Sequence, residues 1–156
     1  MNLFGMMETS GSAMQAERMR AEVVAANMAN AETTRTETGG PYRRQMVVFA
    51  ANQGDPAFAD SLVNVSGALG SGSFSRLDLA PGVHIAQVVE DTAPPLKRYD
   101  PSHPDAGPDG YVAYPDISPL TEMVDLMGAT RAYGLNGSAV QAEKTMITSA
   151  LDIAKA

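Results

Sequence analysis

Apolar residues recur at helical spacing at the two ends of this chain, and the pattern breaks down between them. From Ala13 to Asn30 there is no Gly or Pro, and strong helix formers predominate. Met7, Gly11, Met14, Ala21, Val24 and Met28 fall along one stripe of such a helix, with Glu17, Arg18, Arg20 and Glu22 mostly elsewhere on the wheel. Ser12, with Gln15 three residues on, has the spacing of a capping box and predicts the helix start there.

The C-terminal region, Leu120 to Ala156, contains no Pro and follows Ser118–Pro119, a helix-start signal. Counted in heptads, Met123, Leu126, Thr130, Tyr133, Gly137, Val140, Lys144, Ile147, Leu151 and Ala154 form a largely apolar seam. Ala129, Ala132, Ala139, Met146, Ala150 and Ile153 widen the apolar arc beyond that seam. One N-terminal helix cannot cover such an arc, and an apolar surface larger than its own chain can bury points to partners. Gly128, Gly134 and Gly137 lower helix propensity by about 1 kcal/mol each. They suit either a kinked helix or close helix approach in an assembly.

Between about Thr33 and Pro119 lie all ten prolines and much of the Gly and Ser. Met46–Phe49 and Val83–Val89 are short β-prone runs bounded by breakers, and Tyr111–Tyr114 is a third. The intervening Ala50 to Pro81 reads as a long mobile insertion. The expected division is therefore an axial helix over 1–32, a β-rich middle over 33–119 with the insertion at about 50–81, and a second axial helix over 120–156.

Composition narrows the functional classes. Aromatics make up 6% of the chain, with no Trp and ten Met, so the apolar share rests on small and adaptable side chains that suit helix–helix contact better than a deep cleft. A net charge of −7 argues against nucleic acid as a partner, since phosphate binding needs a basic face. Zero Cys excludes thiolate chemistry and Cys-ligated metal. No run approaches the ~18 apolar residues of a membrane span, so no bilayer insertion is expected. Met1 to Glu17 lacks the pattern of a cleaved secretory signal.

Candidate chemistry is sparse. His103, Asp105 and Asp109, with Asp100, are the one polar cluster a small hydrolase could use. Asp100–Pro101, His103–Pro104 and Pro108–Asp109–Gly110 are better explained as successive turns. His84 sits in a strand-like run without a neighbouring acid or nucleophile, and the Gly-rich stretch near Gly70 lacks the Lys–Ser/Thr ending of a phosphate loop. Asn64 and Asn136 each begin a glycosylation sequon. No catalytic residue, metal ligand or cofactor is expected, and a peptide-binding helical module is the other non-enzymatic reading.

Three segments together resemble a known family. Val23–Arg35, with Asn27–Met28–Ala29–Asn30–Ala31 at its centre, is similar to the N-terminal signature of bacterial flagellar rod and hook axial proteins. Glu122–Met127, followed by Arg131–Ala132–Tyr133 and Asn136, is similar to their C-terminal signature. Gly39–Arg44, Tyr99–Ala106 and Gly110–Val112 resemble the proximal-rod members in particular. Gly134–Leu135 departs from the usual residues there, and the Ala50 to Pro81 insertion matches nothing in the family pattern.

The resemblance implies an α+β fold in which the N- and C-terminal helices pair as an antiparallel coiled-coil-like domain beside a small β-rich middle. It implies a structural subunit of the proximal rod, the hollow axial shaft that carries motor torque to the hook, or else another axial rod protein. The implied partners are copies of itself, other rod subunits, the adaptor at the base of the shaft and the flagellar type III export apparatus. The implied location is the basal body, where the rod crosses the periplasm, reached without a cleaved signal peptide. Val24, Asn27, Met28, Asn30, Met123, Leu126, Tyr133, Val140, Ile147 and Leu151 are the expected subunit-packing positions.

Overall fold

The structure, a computed structural model, describes residues 3–52 and 82–155. The elements run α1 (Leu3–Ala29), β1 (Gln45–Ala51), β2 (Val83–Glu90), β3 (Leu96–Tyr99), β4 (Tyr111–Tyr114) and α2 (Pro119–Lys155). This is the α+β arrangement expected, with paired terminal helices and a small antiparallel β middle. The helices have 27 and 37 residues. At 1.5 Å per residue they extend roughly 40 and 55 Å.

α1 starts earlier than the capping-box spacing predicts. Ser12 is not a cap; it lies inside the helix, where its hydroxyl donates to the Thr9 carbonyl at 2.8 Å. The other end falls where the Asn-rich segment places it. The Asn30 side chain donates to the Ala26 carbonyl at 2.9 Å, and the Thr33 hydroxyl donates to Asn30 Oδ1 at 3.1 Å, closing the turn out of the helix. α2 begins at Pro119, whose fixed φ suits a first helical position and whose missing N–H costs no helical bond there.

β1 pairs with β2, and β3 pairs antiparallel with β4. β3 escaped the sequence reading because all four of its residues are exposed, so burial imposes no alternation on it. Of the insertion expected over Ala50 to Pro81, Ala50 and Ala51 belong to β1, and residues 53–81, with the sequon at Asn64, lie outside the described residues.

The chain forms two compact units. One comprises Met1–Ala16, Phe49–His84 and Tyr133–Ala156, the other Glu17–Val48 and Ile85–Ala132. In the first, the Ser12 hydroxyl accepts the Val83 N–H at 3.1 Å, and the Asn52 N–H donates to the Gly82 carbonyl at 2.7 Å. Met14 lies beside Gly137, and Ala16, Ser10 and Glu143 are buried.

In the second unit, the helix segments run antiparallel, with Arg20 reaching Asp125 and Asn27 reaching Glu122. Its buried apolar residues are Val24, Val112, Ile117 and Ala129, all small or medium in size. The β3–β4 hairpin closes through the Asp100 N–H on the Gly110 carbonyl at 3.0 Å. Gly110 has φ of +73°, and a Cβ there would come 2.8 Å from the Tyr99 ring, so both the turn and the Tyr99–Tyr111 edge contact need glycine. Asp105 ties the hairpin loop to the segment after α1. It accepts the Thr34 hydroxyl at 2.7 Å and pairs with Arg35.

Candidate assembly surface

The best-built feature of the second unit is a polar lock between its helix segments. The Asn27 amide donates to the Gln45 carbonyl at 2.8 Å and to Glu122 Oε2 at 3.1 Å. Its oxygen accepts the Gln45 N–H at 2.9 Å and the Tyr42 hydroxyl at 3.2 Å. Both donors and both acceptor positions of one side chain are thus used, with 1% of Asn27 exposed. Glu122, also 1% exposed, takes Arg44 Nε on Oε1 at 2.7 Å. Asp125 extends the network to Arg44 and to Arg20.

Burying Glu122 is tolerable because each oxygen has a donor, one of them cationic. Burial pushes the Tyr42 hydroxyl above its ordinary pKa, and the negative charges of Glu90 and Glu122 push it further in the same direction.

This lock explains a partial displacement of the α2 seam. The buried or half-buried residues of α2 are Glu122, Asp125, Leu126, Ala129, Ala132, Asn136, Gly137, Ala139, Val140, Glu143 and Ile147, so the inward face takes in part of the apolar heptad and, beside it, positions off it. Arg44 and Asn27 draw Glu122 inward, and small residues let the helices approach. Several of the larger apolar side chains are left outside.

The expected packing positions therefore separate into groups. Val24 and Asn27 are buried within the subunit; Met28, Asn30, Leu126, Val140 and Ile147 are half-buried; Met123, Tyr133 and Leu151 are exposed. On the outer face of α2, Leu120, Met123, Val124 and Met127 are each more than half exposed, at spacings of three and four. Arg131 and Leu135 continue that stripe, also exposed. An exposed apolar stripe on a long helix has the character of a helix-packing surface.

The sequence reading missed the roles of Tyr42 and Arg44 and the burial of Glu143. The signal it had was the presence of Glu122, Asp125 and Glu143 in an otherwise apolar, Ala-rich helix.

The polar cluster of the hairpin loop is used structurally. His103 Nδ1 accepts the Asp105 N–H at 3.1 Å, and its ring packs edge-on to Tyr114. Asp100 accepts both the N–H and the hydroxyl of Ser102, and those hydrogen bonds lead in holding its carboxyl below the usual range. Asp109 is exposed. His84 pairs with Asn52 at 2.6 Å. Among the described residues no group of His, Asp and Glu could hold a metal ion, and no helix is long and apolar enough to cross a membrane.

Comparison with known proteins follows the same two regions. The family model described as flagella basal body rod protein matches residues 7–35, which span most of α1 and the turn after it. The model for the flagellar basal body rod FlgEFG protein C-terminal matches residues 109–153, which span β4 and most of α2. The flagellar basal-body rod protein FlgC of Bacillus subtilis is 40% identical, over 99% of this chain and 100% of its own length. That of Borreliella burgdorferi is 35% identical over 98% of both chains, and that of Salmonella typhimurium 32% over 98% of both. The chain belongs to the FlgC family of flagellar basal-body rod proteins. In this FlgC-family chain, the lock joins the two matched regions, with Asn27 from the first and Glu122 from the second.

Proposed function

We propose that the chain is a structural subunit of the proximal rod of the bacterial flagellum, assembling through its terminal helices into the hollow shaft that transmits motor torque to the hook. Full-length similarity to basal-body rod proteins supports the location and the class of partner. The observation that carries the mechanism is the exposed apolar stripe Leu120, Met123, Val124 and Met127 on α2. Covering it against neighbouring axial subunits removes apolar area from water, at about 25 cal/mol per Å². The lock beneath holds the helix segments of the second unit together, so the stripe is presented on a firm backing.

Partners in this reading are copies of the chain, other rod subunits and the adaptor beneath the rod. Delivery is through the flagellar type III export apparatus into the space the rod crosses, the periplasm. No step in this role needs a substrate or cofactor. Deleting the gene and resupplying it tests the reading. Purified basal bodies should lack a complete rod without the chain and contain the chain when it is restored. Complete rods in its absence would refute the proposal.

A further inference from the structure

The outer stripe of α2 carries two thioethers. Met127 and Met123 are 65% and 51% exposed, the highest values of any methionine among the described residues. Four positions apart on one helix, they lie a turn from each other on the same face. Gly128 beside Met127 opens onto empty space, with no atom within 4 Å of where a Cβ would stand. Met7, Met14 and Met28 on α1 are half-buried. Small polar oxidants in the surrounding water therefore reach the two sulfurs of the stripe far more readily than those three.

The chemistry at such a sulfur is simple. Its lone pair attacks one oxygen of a peroxide, the O–O bond breaks, an S–O bond forms, and the products from hydrogen peroxide are methionine sulfoxide and water. The sulfur gives up two electrons and the peroxide takes them. A flexible apolar side chain becomes a polar one with a strong hydrogen-bond acceptor. On the free subunit that acceptor is hydrated, so the fold is undisturbed. Pressed against an apolar neighbour it is buried without a donor, at two adjacent positions of the same surface.

We propose that Met123 and Met127 form a paired oxidation site of the unassembled subunit, whose sulfoxides bar the stripe from assembly until they are reduced. The inference rests on the rod-subunit reading above and adds a chemical condition to it. Reduction by a methionine sulfoxide reductase consumes two thiols, leaves a disulfide and releases the oxygen as water. The chain has no Cys, so those thiols belong to the reductase and its donors. Once the stripe is covered in the rod, both sulfurs are shielded from further oxidant.

The test has a chemical arm and a genetic one. Purified subunit is treated with hydrogen peroxide, and the sulfoxide at each methionine is read by mass spectrometry of its peptides. Met123 and Met127 should convert at least about tenfold faster than Met14 and Met28, with the melting temperature unchanged. In the genetic arm, Met123→Gln with Met127→Gln mimics the sulfoxide pair, and Met123→Leu with Met127→Leu removes the sulfurs while keeping the surface apolar. Expressed in place of the chromosomal copy, the Gln pair should lower the amount of chain in purified basal bodies at least about tenfold. The Leu pair should keep it near the wild-type level, and should hold that level under peroxide doses at which wild-type incorporation falls. Conversion of Met123 and Met127 no faster than Met14, normal incorporation of the Gln pair, or equal peroxide sensitivity of the Leu pair and wild type overturns this site while leaving the rod reading intact. Absence of the wild-type chain from basal bodies of untreated cells overturns the rod reading itself.

Discussion

The Asn27 amide and the Glu122 carboxylate meet 3.1 Å apart across the helix pair of the second unit, with 1% of either residue exposed. A buried amide satisfied on all sides, facing a buried carboxylate satisfied on both oxygens, specifies one register of one helix against the other. An apolar seam alone would tolerate slippage by a heptad. The lock supplies alignment, and in the proposed rod the apolar residues left exposed on α2 supply adhesion to neighbours.

Asn27→Ala strands Glu122 Oε2 and the backbone groups of Gln45, so it should lower stability by about 3 kcal/mol. For a chain of this size that is a fall in Tm of about 10 °C. Asn27→Asp is more specific, since it places a second carboxylate beside Glu122. It should cost more than Asn27→Ala, because two carboxylates then face each other across the helix pair. Thermal melts of both variants check this, and an Asn27→Asp variant as stable as the wild type would contradict the assigned geometry.

Arg44→Met leaves Glu122 Oε1 without its cation. The expected cost is about 3 kcal/mol, the low end for a broken buried pair, because Arg44 keeps 26% of its side chain in water. Arg44→Met combined with Glu122→Met should be milder than Arg44→Met alone, and chemical denaturation of the three variants measures the difference.

Tyr42 gives an alkaline signature. Its folded pKa is raised, first by burial and then by Glu90 and Glu122. Below the ordinary value of 10.0 the group is protonated in both states and adds no slope. Between that value and the raised folded one, the unfolded chain loses the proton first, so stability falls with rising pH. Tyr42→Phe should remove this part of the slope while costing about 1 kcal/mol for the lost hydrogen bond to Asn27. Denaturation of both proteins between pH 8 and about pH 11 checks the sign.

In the first unit, Ser12→Ala removes the acceptor of the Val83 N–H and should cost about 1 kcal/mol, with hydrogen exchange at Val83 accelerated. Gly82→Ala bears on the same junction, since its Cβ would come 2.6 Å from the Asn52 side chain and 3.0 Å from the Ser12 hydroxyl. Asn52 must then swing away, which breaks its contact with His84.

Much of this architecture was legible in the sequence because its signals are local. The Asn-rich turn after Ala29, the strands beginning at Gln45 and Val83, and Pro119 at the head of α2 follow from propensity and turn chemistry. What escaped depends on distance. Glu122 is buried only because Asn27 and Arg44, 95 and 78 residues away, reach it, and apolar periodicity assigns an acid to the wet side. The inner face of α2 was therefore read only in part, with Leu126, Gly137, Val140 and Ile147 of the heptad on it and Met123, Tyr133 and Leu151 outside, while the surplus of exposed apolar side chains on that helix matches the reading. Ser12 was misread for a similar reason. Its hydroxyl serves Val83, a partner 71 residues on, from inside a helix that already begins at Leu3.

The most direct test of the central claim, that the outer α2 stripe is the assembly surface, is the incorporation into basal bodies of Val124→Asp and Met127→Asp, compared with the melting of the same purified subunits. Both side chains are largely exposed, at 56% and 65%, so melting should change by no more than about 0.5 kcal/mol. Incorporation and swimming should collapse, because a carboxylate would then be buried against each neighbour. Basal bodies carrying both variants at wild-type levels would contradict the account.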